Sequence, residues 1–218
     1  MIRAVIFDLD GTLGDTLPLC IKAFRASIEP LASRPLSDAE IIATFGPSEE
    51  GTIRMLIPEH YDRGLAAYLQ GYAAMHDSCP APFPGVPELL RLLQAKGVRI
   101  AMVTGKGPHS TTITLDRFGL TPFFEQLETG SPAGPVKAEG IAAVLKSWKG
   151  ITRQEVIYVG DAPSDVTASR HAGVAVVGAA WAPTTNAGRL EAAQPDKLFY
   201  TVAAFSKWLE AVIPPSGS

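Results

Sequence analysis

The chain reads as an α/β protein, a doubly wound parallel sheet carrying an inserted all-helical unit, and three observations predict this. Short β-branched runs at Ala4–Phe7, Val98–Val103, Val156–Val159 and Val174–Val177 are continuously apolar rather than alternating. That is the pattern of strands buried on both faces, as in a parallel sheet covered by helices. Helical patterns separate the runs, which is the rhythm of a doubly wound sheet. From residue 16 to about 80 the rhythm breaks, and every ordered stretch there looks helical.

Taken in order, Ala4–Phe7 is the first strand and ends on acids. The interrupting block then offers helices at Leu17–Ile28, Asp38–Thr44, Ser48–Leu56 and Glu59–Met75, punctuated by Pro30, Pro35, Gly46, Pro47 and Pro58. The Pro-rich stretch from Cys79 to Gly85 reads as the return linker. Helix Val86–Ala95 follows, with an apolar stripe of Leu89, Leu90, Leu92 and Leu93 and a stop at Gly97. Further helices are expected at Ser110–Phe118, Ala138–Ser147 and Pro163–Ala172, and a weaker strand at Lys197–Tyr200. The resulting division is a catalytic core of residues 1–14 and 85–218 and a helical unit of residues 15–84. The terminal Pro-Pro-Ser-Gly-Ser reads as a frayed tail.

Composition excludes several classes. With 218 residues, 46% hydrophobic and 19% charged, the chain has the make-up of an ordinary globular protein. A net charge of −3 gives no basic footprint for nucleic acid. Cys20 and Cys79 stand in no metal-binding spacing and make no disulfide framework. The N-terminus lacks a cleavage signature, and the longest apolar stretch, Gly173 to Ala182, is too short to span a bilayer. A cytoplasmic protein, monomeric or homodimeric, without a membrane or nucleic-acid partner, is expected.

The chemistry gathers at strand ends. In VIFDLDGTLGDT, Asp8 and Asp10 are two apart and project from one face of an extended strand. They sit at its carboxyl end, where open α/β sheets place ligands, and Gly11 permits a sharp turn. Paired carboxylates suit a division in which one attacks and the other handles a proton. Taken alone, an Asp-x-Asp is as well explained as a turn. RIAMVTGKG ends a strand on Thr104, a hydroxyl suited to a phosphate oxygen beside free N–H groups. Lys137 opens a helix, where a cation could neutralise a phosphoryl group. VIYVGDAPSD supplies Asp161 and Asp165, hard oxygen ligands of the kind Mg²⁺ takes.

In this order the four stretches resemble the signatures of the haloacid dehalogenase-like hydrolases, in a subgroup similar to phosphoglycolate phosphatases. The resemblance implies a Mg²⁺-dependent phosphatase acting through an aspartyl-phosphate, with residues 15–84 as an all-helical cap. It implies Asp8 as nucleophile and ligand, Asp10 as general acid/base and a ligand through its carbonyl, and Thr104 and Lys137 as catalytic groups. Asp161 would be a ligand, with Asp165 behind it in the metal site. Ala138 departs from the Pro common in the family, and Gly14 from a larger apolar residue.

The expected substrate is a small phosphorylated metabolite, a phosphoglycolate-like acid or a nucleoside 5′-monophosphate. Gly105, Lys106 and Arg54 are the expected substrate contacts, with Lys22, Arg25, Ser48 and Glu49 as further candidates. No role is assigned to His60, His76, His109 or His171. Rival readings are a sugar-phosphate mutase, a non-catalytic phosphate-binding module and a phospho-receiver. Asp10 argues against a dehalogenase, whose halide needs no proton. The mutase reading meets Cys20 and Glu49 where several mutases carry His and Arg.

Overall fold

The computed structural model describes residues 1–213, so the tail expected over 214–218 lies outside the described residues. Its centre is a six-stranded sheet in the order β3-β2-β1-β4-β5-β6, with every pairing parallel. The strands are β1 (Ala4–Phe7), β2 (Arg99–Val103), β3 (Gln126–Glu128), β4 (Val156–Gly160), β5 (Ala175–Ala179) and β6 (Lys197–Phe199). Between β1 and β2 come α1 (Leu17–Ala32), α2 (Asp38–Ala43), α3 (Glu49–Leu56), α4 (Tyr61–Met75) and α5 (Val86–Ala95). Further along are α6 (Pro108–Phe118), α7 (Lys137–Ser147), α8 (Pro163–Ala172), α9 (Ala187–Ala192) and α10 (Val202–Val212).

The continuous apolar runs have the expected cause, because successive β1 residues feed opposite layers. Val5 and Phe7 pack with Leu89, Leu90 and Leu93 of α5 and with Phe205 and Leu209 of α10. Ala4 and Ile6 pack with Ile141 and Val144 of α7 and Val166 of α8. All four β1 residues are buried. Burying a side chain the size of Phe7 contributes roughly 1.5–3 kcal/mol. The chain leaves β1 in one direction toward β2 and β3 and later returns to β4 on the other side. The β1/β4 boundary is therefore the switch point at which such sheets hold ligands.

The helical insertion is built on α1 against α4, where the Phe24 and Tyr68 ring centroids lie 4.4 Å apart. Its apolar residues Phe24, Ile28, Tyr68 and Tyr72 belong to the same hydrophobic cluster as β1 and α5. Helix α1 runs through Pro30 to Ala32 instead of stopping at Ile28. Pro30 falls in the last turn, and both it and Ala26, whose carbonyl it cannot bond, lie on an exposed face open to solvent. Strand β5 starts at Ala175 rather than Val174, since Gly173 ends α8 at φ +74° and the Val174 N–H bonds back to Ser169 O. Strand β3 and helices α9 and α10 were not anticipated; β3 is short and polar at the sheet edge. Among the described residues, no helix is long and apolar enough to cross a membrane.

Candidate active site

Parallel pairing brings three strand ends to one level. Phe7 stands opposite Met102 and Val159, so Asp8, Thr104 and Asp161 emerge side by side. The Asp8 N–H donates to Val159 O at 2.9 Å and the Thr104 N–H to Glu128 O at 3.0 Å. Lys137 arrives as the first residue of α7. Asp165 comes from the first turn of α8, where its Oδ2 accepts the Ala162 N–H at 3.0 Å. Gly11 turns the chain at φ +76°, and a Cβ there would run into the Asp161 carboxylate. Glycine is thus required twice over, for its conformation and for the space it leaves.

Lys137 Nζ lies 2.9 Å from Asp8 Oδ2 and 2.5 Å from Asp165 Oδ1. Asp165 is fully buried, and the Tyr158 hydroxyl lies 3.2 Å from its Oδ1. The Asp161 Oδ2 accepts the Thr185 hydroxyl at 2.9 Å. Thr104 Oγ1 accepts the Lys106 N–H at 3.2 Å, and Asp10 accepts the Thr16 hydroxyl. Burial pushes Asp8 up to about 6, against the pull of Lys137. Burial, then the charges of Asp165 and Asp8, push Asp161 up to about 7. For Lys137, burial alone would act downward, but the neighbouring acids, Asp165 first, hold it well above the ordinary lysine value.

These residues fit a divalent cation. Asp8, Asp161 and Asp165 each offer an oxygen, all within 4.8 Å of one another. Asp8 Oδ1 is buried without a hydrogen-bond partner, a costly state that a bound cation would relieve. Hard oxygens with room for waters suit Mg²⁺. Asp165 is already engaged by Lys137, Tyr158 and the Ala162 N–H, which favours it as the residue that orients the others.

A cleft of about 850 Å³ opens above the acids, walled on the insertion side by Phe24, Phe45 and Pro47. Asp8, Asp10, Thr104, Gly105, Lys106, Lys137 and Asp161 all line it. Arg54 does not. It is exposed, with its guanidinium 4.5 Å from the Tyr61 ring centroid, because α3 turns that residue away from the core. Arg25 pairs with Asp38 and Glu29, and Lys22 borders a second hollow by the linker. Ser48 is buried with its hydroxyl on Glu50, while Glu49 reaches the cleft. The loop after β5 escaped sequence reasoning, yet Thr184 lines the cleft and Thr185 steadies Asp161. Its signal was available, since every loop leaving a parallel strand's carboxyl end reaches this face. His171, assigned no role, also lines the cleft.

Comparison with known proteins agrees with this geometry. The haloacid dehalogenase-like hydrolase family profile matches residues 5–179. The chain is 32% identical to the pyrophosphatase PpaX of Halalkalibacterium halodurans over 181 residues, covering 81% of this chain and 84% of that protein. It is 32% identical over 188 residues to a phosphoglycolate phosphatase of Pseudomonas savastanoi, covering 80% of this chain and 68% of that protein. Among solved structures, a haloacid dehalogenase-like hydrolase of Streptococcus pneumoniae superposes with a TM-score of 0.76 at 25% identity, over 95% of this chain and 98% of that one. Three strand-end signatures and a helix-opening lysine, a parallel sheet that gathers them and a profile match across most of the chain lead to one assignment: this protein belongs to the haloacid dehalogenase-like hydrolase family, and within it to the phosphatases.

Proposed function

We propose that the protein is a Mg²⁺-dependent phosphatase of small phosphomonoesters, working through an aspartyl-phosphate (acyl phosphate) on Asp8. The observation that carries this reading is the state of the Asp8 carboxylate. One oxygen is held by Lys137 at 2.9 Å, and the other is buried and unpartnered at the floor of the cleft.

Asp8, Asp161 and the Asp10 backbone carbonyl would hold the cation, with Asp165 orienting them, and the cation when bound supplies positive charge against the phosphoryl oxygens. An Asp8 oxygen attacks phosphorus, the bond to the leaving alcohol breaks, and the Asp10 side chain gives that alcohol a proton. Water then attacks phosphorus, its proton passes to Asp10, and the bond from phosphorus to Asp8 breaks to release inorganic phosphate. Lys137 offsets the charge of Asp8 and of the phosphoryl group at once. Thr104 offers its hydroxyl to a phosphoryl oxygen. The helical unit of residues 15–84 serves as the cap that excludes bulk water. Lys106 and Gly105 border the substrate, either a phosphoglycolate-like acid or a nucleoside 5′-monophosphate. A cytoplasmic setting accords with such a substrate.

Asp8→Asn is the direct test. It keeps the volume of the side chain and removes the nucleophile, so phosphate release should fall by roughly a thousandfold or more while the circular dichroism spectrum stays unchanged. Activity within tenfold or so of wild type would overturn the assignment. Isomerised sugar phosphate without free phosphate would instead identify a mutase.

A further inference from the structure

On the insertion side of the same cleft, a second cation is enclosed beside Asp10. Lys106 Nζ lies 3.4 Å from Asp10 Oδ1 and 3.4 Å from Glu49 Oε1, with only 1% of the side chain exposed. It also lies 3.1 Å from Cys20 Sγ and 4.4 Å from the Tyr72 ring centroid. Burial alone would lower this lysine, but the surrounding groups, Asp10 first, more than offset it and hold the ammonium charged.

Glu49 completes the arrangement from the insertion. It is the first residue of α3 and is 8% exposed. One carboxylate oxygen accepts the Gly107 N–H, and the other accepts the Ser110 hydroxyl. The Tyr68 hydroxyl stands 3.4 Å from that second oxygen. A lysine, a helix-initial N–H and a hydroxyl therefore converge on one carboxylate, and the chain itself provides it. These are the groups that would receive a second negative group on a substrate's leaving alcohol.

We propose that Glu49 determines specificity by filling that seat. The cleft then accepts phosphomonoesters whose leaving alcohol is uncharged and selects against those carrying a second anion. This rests on the phosphatase reading of the same site. Five carboxylates (Asp8, Asp10, Glu49, Glu139 and Asp161) line the cleft, with Asp165 buried behind them, against two lysines, Lys106 and Lys137. One divalent cation and the reacting phosphoryl group leave no cation free for a further anion. An anionic alcohol must either displace buried Glu49 from four partners or lie against it, and like charges placed together are an effective means of rejection. Of the two expected substrate types, this favours the nucleoside 5′-monophosphate over the phosphoglycolate-like acid. It also separates this chain from what the names of its two relatives describe, since pyrophosphate and phosphoglycolate both carry a second anion.

The experiment compares kcat/KM with Mg²⁺ for a nucleoside 5′-monophosphate and glycerol phosphate against phosphoglycolate and pyrophosphate. Wild type should favour the first pair by about tenfold or more. Glu49→Gln, which keeps shape and removes charge, should narrow that ratio by about tenfold, chiefly through KM of the anionic substrates. Wild type preferring phosphoglycolate or pyrophosphate overturns the proposal, as does a Glu49→Gln change equal for both classes. Should Glu49→Gln fail to fold, the wild-type ranking decides. Turnover of esters with the inverse ranking sinks the selectivity alone, whereas no turnover of any ester sinks the phosphatase reading and this proposal with it.

Discussion

The Lys137 ammonium bridges two carboxylates from separate elements, Asp8 at the end of β1 and Asp165 in the first turn of α8, at 2.9 and 2.5 Å. Lys137→Met leaves both acids buried without that partner. Removing one partner of a buried ion pair costs roughly 3 kcal/mol, and urea unfolding at pH 8 should show a loss of that order. At pH 5.5 the loss should be smaller, because Asp8, already raised to about 6 by burial, rises further without the lysine and takes up a proton. Equal losses at both pH values would contradict the bridging role.

Metal-free protein should respond to pH through Asp161. Its folded value of about 7 lies above the ordinary carboxylate value of 3.8. A raised folded value means that the contribution is fully present below the unfolded value and is lost as pH rises through the folded one. Wild type in chelator should therefore lose stability between pH 4 and pH 7 relative to Asp161→Asn, which carries no such titration. In the proposed site Mg²⁺ would compete with the same proton, so it should raise Tm more at pH 8 than at pH 5.5. Parallel pH curves for wild type and Asp161→Asn would refute this.

Gly11→Ala tests the turn that separates the two acids of the first strand from the helical insertion. The positive φ strains any other residue by roughly 1–2 kcal/mol, and the new methyl displaces the Asp161 carboxylate. Calorimetric titration should show weaker Mg²⁺ binding along with lower thermal stability. A variant that loses stability but keeps its Mg²⁺ affinity would show that the turn does not position Asp161.

Arg54→Ala is the informative neutral change. Because the side chain rests on Tyr61 in solvent, kcat/KM should stay within about twofold and stability within roughly 1 kcal/mol of wild type. A large rise in KM would return Arg54 to the substrate cleft.

The first-strand acids were legible because parallel strands buried on both faces leave a plain hydrophobic signature, and Asp8 and Asp10 follow it at once. The same reasoning fails for β3 and α9, which have three and six residues and little periodicity. It misplaced Arg54, since spacing cannot say which side of a short helix meets the core. It passed over the loop after β5, whose Thr185 carries no motif.

Local order, then, came from the chain alone: alternating apolar runs and helices, and four separated stretches whose residue types already name a chemistry. Their convergence was a decision of tertiary structure. Lys137 stands 129 positions from Asp8 and Glu49 58 positions from Gly107, and no local preference acts over such distances. Only the parallel sheet, by aligning strand ends, and the packing of the insertion against the core bring these charges within reach of one another.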